Sequence, residues 1–125
     1  MRVLLDTQAL LWWLFDLPQL GPKAREVISG SENTIYVSAV SAVEIGTKQA
    51  IGKLEAPDEL EAQIAANWFV ELPVSVRHAL TVGDLPLYHR DPFDRLLVAQ
   101  AQCEGLTLIS SDRRLNAYGV SILPA

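Results

Sequence analysis

The chain has 125 residues, half of them hydrophobic, with ten basic and fifteen acidic residues and a net charge of −5. One domain spanning residues 1–125 is expected, with enough apolar material for a core; a disordered polyelectrolyte and a broad basic surface for duplex nucleic acid are excluded. The single cysteine, Cys103, excludes an internal disulfide, and the apolar N-terminus is interrupted at Asp6, so a cytoplasmic protein with no secretory signal or membrane span is expected.

The elements follow in chain order. Arg2–Leu5 is an apolar run that stops at Asp6-Thr7 and reads as a buried strand. Residues 7–16 read as a helix that Leu17-Pro18 ends, and Pro22 opens a second helix that Gly30 closes. Thr34–Ser38 is β-branched and aromatic, a second strand. Ser41 starts a helix to about Ala50, Pro57 opens another, residues 67–72 hold a short strand, and Ser75–Val82 is helical. The segment from Pro92 to Glu104 is a strong helix with Phe93, Leu96, Leu97 and Ala101 facing inward and Gly105 as its stop. Residues 107–109 form a strand, 112–117 a short helix or turn, and 120–123 a last strand. Strands that alternate with helices and read as continuous apolar runs imply a three-layer α/β/α fold on a short, mainly parallel sheet.

In such a sheet ligands gather beyond the carboxyl ends of the strands. Asp6, Glu44 and Asp112 each follow a strand, and Asp94 reaches the same edge if its connection crosses back over the sheet. Each acid also has a structural reading. Asp91-Pro92-Phe93-Asp94 has the form of a helix cap with a reciprocal acid, Ser41-Ala42-Val43-Glu44 that of a capping box, and Asp6 and Asp112 can cap their own helices. Converging on one rim, however, four carboxylates would raise one another's pKa unless a cation compensates. A hard divalent ion with oxygen ligands, Mg²⁺ or Mn²⁺, fits that set. Zinc is disfavoured, because Cys103, His78 and His89 have no ligand spacing. Such an ion activates water and clamps a phosphodiester for in-line attack.

The ordered set VLLDT, VSAVSAVEI, HRDPFDRLLVAQA and LISSDRRL resembles the PIN domain, and more narrowly the VapC-type toxins of bacterial toxin–antitoxin pairs. The resemblance runs from residue 3 to residue 115. It implies a Mg²⁺- or Mn²⁺-dependent endoribonuclease on a parallel α/β/α sheet, leaving a 5′-phosphate and a 3′-hydroxyl. It also implies a homodimer neutralised by a small antitoxin. Carried over by position, the catalytic and metal-binding acids are Asp6, Glu44, Asp94 and Asp112. Asp6, Asp94 and Asp112 would hold a first metal, and Glu44 would complete it or bridge a second. Thr7 matches the hydroxyl residue after the first acid, and Ser110 the one shortly before the last.

Arg90, Arg95, Arg113 and Arg114 adjoin the proposed site, and read either as RNA phosphate contacts or as charge balance for nearby acids, including a turn-spaced pair of Arg95 with Asp91. Arg95 and Arg113 join Thr7 and Ser110 as expected substrate contacts. Lys48 is spaced to pair with Glu44. Trp12 and Trp13 are adjacent, so one is expected in the core and the other at a protein interface, unless both fill the core. Cys103 is expected as a small core residue, His78 near the surface. His89 stands beside the site loop without a role carried over. A haloacid-dehalogenase-type phosphohydrolase needs an acid where Gln8 stands, and a phospho-receiver needs a paired acid and a late lysine that are missing. A catalytically inactive PIN-like module that binds RNA or protein is the remaining alternative.

Overall fold

Strand β1 (Arg2–Leu5) runs through the centre of a five-stranded sheet, and its alternating side chains build the layers on either side. The structure, a computed structural model, describes residues 1–125. Four further strands follow: β2 (Thr34–Ser38), β3 (Val70–Leu72), β4 (Thr107–Ser110) and β5 (Ile122–Pro124). Their order in the sheet is β3-β2-β1-β4-β5, and every neighbouring pair is parallel.

Val3 and Leu5 point to one face, where they pack with Ile35, Val37 and Ile109 against α1 (Thr7–Leu14) and α2 (Pro22–Ser29). Leu4 and Leu108 point to the other, against Leu97, Val98 and Ala101 of α6 (Pro92–Glu104). The remaining helices are α3 (Ala39–Ala50), α4 (Leu60–Ala66) and α5 (Val76–Val82), with a 3₁₀ turn at Arg113–Tyr118. The expected three-layer α/β/α architecture is therefore present, and the sheet is wholly parallel. No helix is long and apolar enough to cross a membrane.

The chain leaves β1 toward β2 on one side and later fills β4 on the other. The gap between β1 and β4 is thus the point where strand order reverses, and a crevice opens there at the carboxyl ends. Asp6 sits at its lip: its N–H still bonds to the Ile109 carbonyl at 3.0 Å, one residue past the end of β1.

α6 is bounded as its sequence implies. Asp91 accepts N–H bonds from Phe93 and Asp94, Pro92 takes the first helical position, and Gly105 ends the helix at φ 65°. Two other helices start elsewhere than expected. α3 begins at Ala39, because Ser38 and not Ser41 caps it, accepting the Val40 N–H at 3.0 Å. Ser41 is fully buried in the helix and faces Thr7, which leaves Glu44 in the second turn and no capping box there. α4 begins at Leu60 rather than near Pro57, after Glu59 in a left-handed conformation.

Candidate active site

Five carboxylates, Asp6, Glu44, Asp91, Asp94 and Asp112, line one polar cavity of about 250 Å³ together with Thr7, Gln8, Lys48 and Ser111. They arrive from four separate segments: the start of α1, the middle of α3, the start of α6 and the turn after β4. Capping and cavity lining coexist in the same residues. Asp6 caps α1, with Oδ1 accepting the Ala9 N–H at 2.7 Å, and still lines the cavity. Asp112 caps the 3₁₀ turn through the Arg114 N–H and lines it too. Asp91 is the cap of α6, and Asp94 does not bond back to it; the Asp91 N–H goes to His89 Nδ1 instead.

The acids differ in how their charge is met. Glu44 has Lys48 Nζ at 2.5 Å on Oε2 and Thr7 Oγ1 at 2.7 Å on Oε1. Asp112 is gripped by Arg114 through both oxygens, which holds its carboxyl well below the usual range. Asp6 and Asp94 have no lysine or arginine partner. Burial pushes Asp6 up to about 6, against hydrogen bonds from Ser110 and the Ala9 N–H that pull it down. Burial, then the neighbouring charges of Asp91 and Asp6, raise Asp94 to about 6 as well. Two carboxylates without a cationic partner facing one polar cavity offer hard oxygen donors of the kind a divalent cation takes, with room left for water.

Residues 3–120 match the PIN domain family. The chain belongs to the PIN-domain family. A curated relative, Ribonuclease VapC22 of Mycobacterium tuberculosis, is 27% identical to this PIN domain over 128 residues, covering 93% of this chain and 91% of the relative. Two solved structures share its fold. VapBC2 from Rickettsia felis, bound to a DNA fragment from its promoter, matches with a TM-score of 0.68 at 14% identity, over 98% of each chain. VapBC-5, a member of the VapBC family of toxin–antitoxin systems from Mycobacterium tuberculosis, matches with a TM-score of 0.61 at 17% identity, over 99% of this chain and 98% of that one.

The PIN domain brings Asp6, Glu44, Asp94 and Asp112 together, as their order in the sequence implies. The expected substrate contacts are placed differently. Thr7 lines the cavity, but its buried hydroxyl is spent on Glu44 and Ser41. Ser110 lies beneath, buried, accepting the Asp112 N–H at 3.1 Å. Arg95 is not at the cavity and does not pair with Asp91: it is buried and gives its guanidinium to the carbonyls of Val82, Leu85, Pro86 and His89 and to the Tyr118 hydroxyl. Arg113 is exposed and lines a neighbouring cavity beside Ser110, Ser111 and Asp112. Arg114 is the arginine that touches an acid of the site.

Some neighbours also differ from expectation. His78 is buried, capping α5 reciprocally with Ser75 and contacting Glu104 at 2.9 Å. Trp12 and Trp13 are both half-buried against the core, and the exposed tryptophan is Trp68, at 90%. Cys103 is half-buried beside Thr81. His89 is poorly placed by the sequence alone. Its only sequence signal is adjacency to Asp91, yet its ring reaches Asp112, 23 residues away.

Proposed function

We propose that this PIN domain is a Mg²⁺- or Mn²⁺-dependent endoribonuclease and the toxin of a toxin–antitoxin pair. The observation that carries the reading is the meeting of Asp6 and Asp94, both raised to about 6, in a cavity where Glu44 and Asp112 already have cations and Asp91 caps α6. Above that pH both ionise, and their mutual repulsion favours a divalent ion between them. The naming of the curated relative as a ribonuclease, and of the VapBC-5 neighbour as part of a toxin–antitoxin system, supports RNA as substrate and a small antitoxin as partner.

Asp6, Asp94 and Asp112 would hold the cation, and Glu44, braced by Thr7 and Lys48, would complete the set or bridge a second ion. When bound, the cation lowers the pKa of a water and offsets charge on the phosphodiester. The chain's own part is orientation. The cap at Asp91 aims Asp94 from the first turn of α6, and the positive end of α1 favours phosphate oxygens nearby. Arg114 and the exposed Arg113 stand where they could meet flanking phosphates. A homodimer, acting in the cytoplasm, completes the proposal.

Cleavage mapping on total RNA tests it, with wild type against Asp94→Asn, with and without Mn²⁺. Mn²⁺-dependent cuts with 5′-phosphate ends, made by wild type only, are expected. Cutting by Asp94→Asn at the wild-type rate would overturn the assignment, and binding of RNA without any cutting would favour the inactive module.

A further inference from the structure

His89 stands at the cavity's edge, has no part in the mechanism above, and has every polar atom engaged. Its N–H donates to the Tyr118 hydroxyl at 3.0 Å, and its carbonyl accepts Arg95 Nη1 at 3.4 Å. Its Nδ1 accepts the Asp91 N–H at 3.0 Å. Its Nε2 lies 2.8 Å from Asp112 Oδ2 and 3.4 Å from Asp94 Oδ2. The residue is 6% exposed.

These contacts fix the tautomer. A backbone N–H can only donate, so Nδ1 carries the lone pair and the ring hydrogen sits on Nε2. That hydrogen bonds to Asp112 Oδ2, and Asp94 Oδ2 lies 3.4 Å from the same nitrogen. Donor atoms of His89, Asp94 and Asp112 lie within 4.8 Å of one another, a spacing that would suit a three-ligand metal site. A protonated Nε2, however, has no lone pair to give a metal.

We propose that His89 is a positioning residue that sets the separation and orientation of Asp94 and Asp112 through its Nε2–H, and is not itself a cation ligand. The proposal rests on the reading of the cavity as a divalent-cation site. Asp94 opens α6 and Asp112 follows β4, and no hydrogen bond joins them directly. Left alone, the two like charges would repel and turn apart. The imidazole stands between them, hydrogen-bonded to Asp112 Oδ2 with Asp94 Oδ2 at 3.4 Å, and leaves Asp94 Oδ1 with no protein partner. The ring cannot drift, because the Asp91 N–H holds its Nδ1 while the Tyr118 hydroxyl and Arg95 hold the His89 backbone on either side. His89 is thus to the carboxylates what an outer partner is to a ligating side chain.

The full chain with Mn²⁺ as probe tests this by calorimetric titration and by pulsed electron paramagnetic resonance. Wild type is expected to bind Mn²⁺ without coupling to a directly coordinated imidazole nitrogen. His89→Ala should weaken Mn²⁺ binding by about 10- to 100-fold, and His89→Gln, which keeps an N–H donor at that depth, should restore most of the loss. A coordinated-nitrogen signal in wild type overturns the proposal, and so does His89→Ala binding Mn²⁺ as wild type does. The resonance measurement needs only wild type, so a poorly folding variant does not blunt the test. A wild type that binds no Mn²⁺ overturns the cation reading and this proposal together, whereas Mn²⁺ bound with a nitrogen signal overturns this proposal alone.

Discussion

Arg114 grips Asp112 by both oxygens: its Nε lies 3.0 Å from Oδ1 and its Nη2 2.8 Å from Oδ2. With the Arg114 N–H also on Oδ1 and His89 on Oδ2, each oxygen of Asp112 already accepts two bonds. A cation approaching Asp112 must displace one of them. The Arg114 side chain is the exposed partner and the one free to swing away. Arg114→Ala is therefore expected to tighten Mn²⁺ binding a few-fold. Calorimetry on the two proteins decides it, and an unchanged or weaker affinity in the variant would show that the guanidinium does not compete.

Asp6 and Asp94 give the metal-free protein an unusual pH dependence. Asp6 ionises near 6 in the folded state against a normal value of 3.8, so the folded chain binds more protons between those values. Its cost to stability is absent below the lower value, grows as pH rises, and is complete above the upper one. At ~1.36 kcal/mol per unit this amounts to roughly 3 kcal/mol for Asp6, and Asp94 acts in the same direction. Asp112, depressed by Arg114, contributes the other way: stability that is present above 3.8 and lost at more acid pH. The urea midpoint of metal-free protein should fall between about pH 4 and about pH 7, with Mn²⁺ closing the gap. A midpoint that climbs over that interval contradicts the burial of Asp6 as an uncompensated acid.

The same reasoning separates stability from activity at Asp6. Asp6→Asn keeps an oxygen to cap α1 and removes the buried charge. The variant is expected to lose Mg²⁺-dependent cleavage of RNA while unfolding at higher urea than wild type at neutral pH. Activity near the wild-type level, or a large loss of stability, would each count against the role given to this carboxylate.

Arg95 yields the opposite pattern. Its guanidinium satisfies carbonyls at and beyond the end of α5, Val82, Leu85 and Pro86, without a carboxylate partner. Removing it strands buried acceptors, so Arg95→Ala should cost about 3 kcal/mol of unfolding free energy. Lysine has no planar fork to replace it, and Arg95→Lys should recover little. If Arg95 contacted RNA instead, its loss would leave the urea midpoint unchanged and weaken RNA binding in a salt-dependent way.

What the sequence revealed follows from how local each signal is. β1, β2 and α6 are written as contiguous apolar runs with their own stops, so their bounds and the rim they define could be read directly. Asp6, Asp94 and Asp112 are legible because each closes or opens such a run, whereas Glu44 lies a turn inside α3. Arg95 was not legible. One step along a helix rotates a side chain by about 100°, so Asp94 faces the cavity while Arg95 turns inward, and only the loop packed against α6 decides which. The start of α3 differs from the sequence expectation because Ser41 is drawn to Thr7, 34 residues earlier, and Ser38 caps the helix instead. His89 and Asp112 meet through folding alone.

The acids of the cavity come from positions 6, 44, 94 and 112, and β4, which flanks the central strand, begins only at Thr107. A chain whose synthesis has reached residue 100 holds three of the four acids but lacks the strand that closes one side of the crevice. The crevice is thus completed only when β4 has paired with β1, so the last acid and the last wall of the cavity arrive together.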